Sequence, residues 1–211
     1  MGLSTEPIRP DSEDTRRLLD RTGVNPDAVG ELLARHRPSL RAFVELHLDP
    51  AIRARIDASD VVQEAQAELA RRLPDFLARR PMPFHLWARK TAYERLLNTR
   101  RDQRAARRDV AREEAVPDRS SLLLARSILA PGPTLSETLV ARETAERVAR
   151  AVEGLADGDR EMLLMRHAED LPYEEIACLL DIETAAARKR YGRALIRLQQ
   201  LLAAQGILGG E

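Results

Sequence analysis

The sequence predicts an all-α protein built from two small helical domains joined by a linker. Three observations carry this. Apolar residues recur at spacings of three and four over most of the 211 residues, the period of a helix with one buried face. Strand-like alternation is rare and aromatics make up only 3% of the chain, which argues against a sheet-based core. Prolines gather between the periodic runs, at Pro7, Pro10 and Pro26, at Pro74, Pro81 and Pro83, and at Pro117, Pro131 and Pro133.

Residues 1–30 are polar and mildly acidic. They read as an extension, partly ordered at best, with one or two helical turns over Thr15 to Asp20. From Glu31 a helix carries Leu32, Leu33, Leu40, Phe43, Val44 and Leu48, with Pro38 as a kink or a boundary. His36 and His47 lie on or near it without a second ligand at metal spacing, so they read as structural. After a break near Pro50, Asp57 is placed to cap a helix whose buried stripe is Val61, Val62, Ala65, Leu69 and Leu73, with Asp60 completing a box-like start. Asp60, Gln63, Glu64 and Ala67 fall on another face; on physics alone a solvated surface explains them.

A long helix is expected from Phe84 to Arg112, burying Phe84, Trp87, Tyr93, Leu96 and Leu97. Its other faces are strongly basic, including Arg89, Lys90, Arg95, Arg100 and Arg101, a stripe that attracts phosphates. Trp87, the sole tryptophan, sits on the buried stripe, so core packing is one reading and stacking on a base the other. Residues 113–134 have the composition of a linker, yet Leu122, Leu123, Leu124, Ile128 and Leu129 favour a short helix packed on a domain or a partner.

The second domain, residues 135–204, opens with a capping box of Thr134 and Glu137 and the stripe Leu139, Val148, Ala151 and Val152. A helix capped by Asp157 carries Met162 to Met165. Then comes LPYEEIACLLDIETAAARKRYGRALIRLQQLL, Leu171 to Leu202. It reads as a helix from Pro172 to Leu180, a turn at Asp181, Ile182 and Glu183, and a second helix from Thr184, with Ile182 as an apolar plug. This is helix-turn-helix grammar, in which the second helix enters the major groove with its first turns. That helix carries Thr184, Ala185, Arg188, Lys189, Arg190 and Arg193, small residues that permit close approach and cations that suit phosphates and guanine edges. A solvated basic face on a core helix is the plainer alternative. Residues 205–211 form a tail.

Total charge says nothing about partners, since Lys+Arg and Asp+Glu are 34 each. Its distribution does: basic faces on two helices stand against an acidic body in the second domain. No glycine-rich phosphate loop, Cys/His ligand cluster or nucleophile elbow occurs, and the carboxylates fall into helical patterning, so neither an enzyme nor a cofactor is expected. The single cysteine, Cys178, reads as a small buried hydrophobe. No apolar run is long enough for a membrane span and the N-terminus lacks a signal-peptide core, so membrane insertion is not expected and a reduced cytoplasm is.

LPYEEIACLLDIETAAARKRYGRALIRL resembles the fourth conserved region of bacterial sigma factors, at Tyr173 to Ala177, Leu180, Ile182, Arg188, Arg190 and Arg193 to Leu195. Asp181 stands where that family often has glycine, and aspartate tolerates turn geometry. Asp60-Val61-Val62-Gln63-Glu64 and PFHLWARKTAYERLLNTRRDQRAARR resemble sigma region two, in the family's order. With no room for further regions, the chain resembles the compact extracytoplasmic-function group. The resemblance implies core RNA polymerase and promoter DNA as partners and leaves room for an anti-sigma protein. It places Asp60, Val61, Gln63 and Glu64 against polymerase, and residues 31–112 on the −10 element through Trp87, Arg89, Lys90, Thr91, Glu94, Asn98 and Arg101. It places Thr184, Ala185, Arg188, Lys189, Arg190 and Arg193 on the −35 element. Glu94 replaces a common asparagine and Asn98 a common aspartate, which bears on base preference. The rival readings are a stand-alone helix-turn-helix regulator and a helical interaction protein.

Overall fold

The computed structural model describes residues 7–23, 25, 27–48, 53, 55–106, 119–129 and 139–207. Among the described residues there are nine α-helices and no strand. They fall into two compact units, Ile8–Ala111 and a second that includes Arg112–Glu211. The capping box at Thr134 and the end of the long helix beyond residue 106 lie outside the described residues.

The first unit holds α1 (Glu13–Arg21), α2 (Asp27–His47), α3 (Ala58–Arg79) and α4 (Phe84–Ala106). Within the N-terminal stretch, residues 7–23 include a helix. Ser12 caps α1 by accepting the Thr15 backbone N–H at 3.3 Å, and Thr15 and Leu19 are buried. Arg35–Asp14 and Arg21–Glu31 ion pairs tie α1 to α2 at 2.8 and 3.0 Å. A short amphipathic helix that is marginal alone is held here by tertiary contacts. α2 starts ahead of Glu31 because the Asn25 carboxamide accepts the Asp27 N–H at 2.9 Å.

Prolines do not end these helices. α2 runs through Pro38 and α3 through Pro74. Both prolines are exposed, as are Ala34 and Ala70 four residues earlier, so each carbonyl deprived of its helical N–H faces water. The extra turn after Pro74 is anchored by Phe76, which stacks on Trp87 at 4.4 Å between ring centroids. α3 begins as its sequence implies, with the Asp57 carboxylate accepting the Ser59 N–H at 2.8 Å. That hydrogen bond holds the Asp57 carboxyl below its ordinary value. The expected stripe Val61, Val62, Ala65, Leu69 and Leu73 is buried against α2 and α4. His36 accepts or donates a hydrogen bond with Thr15 at 3.1 Å, and His47 is buried beside the Phe43 ring.

The second unit holds α5 (Arg119–Leu129), α6 (Leu139–Glu153), α7 (Asp157–Leu163), α8 (Tyr173–Leu180) and α9 (Thr184–Ala204). α5 packs on α6, burying Leu124 and Ala125, and Arg160 donates to Ser120 Oγ at 2.7 Å. α7 is capped by Ala156 rather than Asp157, without a side-chain hydrogen bond. It continues as one π-helical turn, Leu164–Ala168. The wider turn shifts the helical register, and Met162, Leu163, Leu164 and Met165 are all buried in succession. Asp159, also buried, pairs with Arg197 of α9.

Candidate nucleic-acid and protein interfaces

α8 and α9 form the expected helix-turn-helix. Glu174 and Glu175 occupy the positive first turn of α8. Asp181 sits in the left-handed region at φ 55°, where aspartate is among the few side chains that settle readily. The Ala177 carbonyl accepts both the Asp181 N–H and, at 3.0 Å, the Ile182 N–H, closing the helix. Ile176, Ala177 and Leu179 are buried, while Leu180, Ile182 and Cys178 are half-buried, so Cys178 is less enclosed than its apolar neighbours suggested.

On α9 the six candidate −35 residues part company. Ala185, Lys189 and Arg193 are exposed and four residues apart, giving one outward stripe about 12 Å long. Thr184 is half-buried at the first turn. Arg188 is drawn back: it donates to Glu174 Oε1 at 3.1 Å, and its guanidinium lies over the Tyr173 ring at 5.6 Å. Arg190 turns the other way, so close to Gly158 of α7 that a methyl group there would meet its guanidinium. Ala187 and Ala194 are fully buried and let α9 cross its neighbours closely.

Around Tyr173 the packing is dense. The Arg166 guanidinium lies 5.0 Å from its ring centroid, and Tyr191 meets it edge-on at 5.6 Å. Tyr191 Oη and His167 Nε2 are hydrogen-bonded at 2.9 Å. Burial, then the Arg166 charge, pushes the His167 imidazole below its ordinary value; burial and Tyr173 push the Tyr191 phenol up.

In the first unit, Asp60, Gln63 and Glu64 lie exposed on one side of α3. Val61 does not join them. It is only 2% exposed, since the helical period turns it inward with Val62 and Ala65, and a partner would have no access to it. Two of the −10 candidates on α4 are likewise core residues. Trp87 is 6% exposed and stacked on Phe76, and Thr91 is buried with its hydroxyl donating to the Trp87 carbonyl at 3.0 Å. The alternative of a base-stacking Trp87 would require opening this aromatic cluster.

The other five stand on the accessible side. Arg89 and Lys90 are half-exposed, Arg89 with its guanidinium over Phe43 at 5.2 Å. Glu94, Asn98 and Arg101 are exposed; Glu94 lies 3.8 Å from Arg72, and Arg101 donates to the Asn98 carboxamide oxygen. A charge network that counting basic residues did not reveal links α3 to α4. Glu68 pairs with Arg71 at 2.5 Å and with Arg95 at 3.4 Å, and the Arg71 hydrogen bond holds its carboxyl below the ordinary value. Arg95 is therefore engaged within the fold. Among the described residues no cluster of three or more His, Cys, Asp or Glu could hold a metal ion, and no helix is long and apolar enough to cross a membrane.

Comparison with known proteins agrees with this geometry. The family model for Sigma-70, region 4, matches residues 145–198, which span the helix-turn-helix. The chain is 29% identical over 192 residues to the RNA polymerase sigma factor CnrH of Cupriavidus metallidurans, covering 90% of this chain and 95% of that protein. Its structure resembles that of CnrH in complex with the cytosolic domain of CnrY, with a TM-score of 0.53 and 25% identity over 92% of this chain and 99% of that one. It also resembles the sigma factor RpoE in complex with the anti-sigma factor NepR from Bartonella quintana in fold, with a TM-score of 0.53 and 20% identity over 82% and 96% of the two chains. With a region-4 helix-turn-helix and a likeness to CnrH that runs through both helical units, the chain resembles the extracytoplasmic-function group of the sigma-70 family.

Proposed function

We propose that the protein binds core RNA polymerase, in the cytoplasm, and directs promoter recognition and opening. Residues 31–112 serve polymerase binding and the −10 element, and residues 135–204 serve the −35 element. The exposed Asp60, Gln63 and Glu64 pair with polymerase, where charges of this kind set register and encounter. Arg89, Lys90, Glu94, Asn98 and Arg101 of α4 meet the −10 strand. Ala185, Lys189 and Arg193, with Thr184 and Arg188, meet the −35 duplex. CnrH and RpoE have each been seen with a protein partner, NepR being an anti-sigma factor, and an anti-sigma protein is the corresponding partner proposed for this chain.

The observation that carries the reading is the outward basic stripe at the start of α9, in the segment that matches sigma region 4. The chemistry of transcription stays with the polymerase. The test is run-off transcription from fragments of the source genome by core polymerase with and without the protein. Discrete new start sites support promoter-directing activity, and an unchanged transcript pattern counts against it.

A further inference from the structure

Glu174 is an unusual carboxylate. Its side chain is only 12% exposed, its Oε1 accepts from Arg188, and its Oε2 is buried with no hydrogen-bond partner among the described residues. A buried carboxylate oxygen left unpaired carries a desolvation cost. The contact it makes with its other oxygen joins the first turn of α8 to the first turns of α9. Arg188 is held there from two sides, by this carboxylate and by the Tyr173 ring, itself wedged by Arg166 and Tyr191. Lys189 and Arg193 on the adjacent stripe are exposed, with no such brace among the described residues.

We infer that Glu174 is a positioning residue for promoter reading: with Tyr173 it fixes the Arg188 guanidinium in one plane, so that Arg188 discriminates a base pair instead of ranging among phosphates. The inference rests on the −35 reading given above. A guanidinium has five N–H donors, and binding one through Nη2 leaves others for an acceptor pair on a base edge. Pairing also offsets the arginine's charge, which weakens its pull on any phosphate within reach. An arginine released from Glu174 would bind DNA more strongly and less selectively.

The experiment uses holoenzyme assembled from the full chain and core polymerase, with duplexes randomised over the −35 segment. Sequence preference is read by selection, and affinity for a fixed non-selected duplex by salt titration. Glu174→Gln keeps the shape and loses the charge. It is expected to reduce discrimination at one base pair about tenfold or more and to raise non-selected affinity. It should also steepen the slope of log affinity against log salt by about one. In an Arg188→Ala background the same substitution should change neither quantity. Arg188→Lys, which has no planar fork, should lose the discrimination while keeping affinity, and it remains informative if Glu174→Gln folds poorly. A parent holoenzyme with a clear preference that Glu174→Gln and Arg188→Lys both leave intact overturns the inference alone. A parent with no preference over the segment overturns the −35 reading, and this inference with it.

Discussion

The Asp11 carboxylate caps α4 from far away in sequence. It accepts the backbone N–H of Phe84 at 2.6 Å and of His85 at 2.9 Å, and its Oδ1 lies 2.9 Å from His85 Nδ1. Burial alone would raise the Asp11 carboxyl, but the hydrogen bonds from His85 and from the two amides outweigh it and hold it low. The N-terminal segment thereby anchors the start of the helix proposed to meet the −10 strand.

Asp11→Ala should destabilise the first unit by about 0.5–2 kcal/mol, the usual range for a lost cap. Because the folded carboxyl lies below its unfolded value, its contribution is complete at neutral pH. It fades as pH falls below about 4 toward the folded value. Urea unfolding of parent and variant should therefore differ at pH 7 and converge toward pH 3. A constant gap across that range would contradict the assignment.

Acidification should also weaken the fold in a higher window. Burial first, then the charges of His85 and Arg35, lower the His36 imidazole, with Asp11 opposing, and His167 is lowered similarly. A depressed imidazole contributes stability above its unfolded value, near pH 6.5, and loses it as pH drops through the folded value. The unfolding midpoint should fall between about pH 7 and pH 5. His36→Gln should flatten part of that fall, and an equal slope in the variant would contradict the assignment.

Trp87 is expected to report on the core. The intact protein should emit at short wavelength and resist quenching by acrylamide, as a tryptophan stacked on Phe76 would. Trp87→Ala should cost about 3–5 kcal/mol, so its failure on DNA would follow from loss of structure. Red-shifted, readily quenched emission would instead place Trp87 at the surface.

Gly158→Ala sets two effects against each other. Alanine is favoured over glycine in a helix by up to about 1 kcal/mol. The atoms nearest the added methyl belong to the Arg190 guanidinium, the far end of a flexible side chain, which can swing aside. Helix preference should win, leaving stability unchanged or slightly higher by thermal melting. A marked loss would show that the seat of Arg190 on α7 supports the fold.

Much of the helical frame was legible because it depends on local rules. The Asp57 cap, the α3 stripe and the break at Asp181 to Glu183 follow from spacing and from residues that favour ends and turns. What escaped depends on distant partners. Nothing near Asp11 says that it caps a helix 73 positions on. Pro74 looks like a stop until Phe76 finds Trp87, and the α7 register changes through a π turn that no local pattern announces. The site was legible in its type of residue but not in the direction of each. Arg188, Lys189, Arg190 and Arg193 look equivalent in sequence, yet Glu174 holds one, Gly158 seats another and two face out.

The central proposal is that this chain is a polymerase subunit, and gel filtration with core RNA polymerase from the same source tests it most directly. The expected result is a stoichiometric complex. Gln63→Ala with Glu64→Ala should weaken that complex about tenfold or more, roughly 1.4 kcal/mol, while leaving the fold intact. A well-folded parent protein that elutes apart from its cognate core would contradict the proposal and point to a regulator acting on DNA alone.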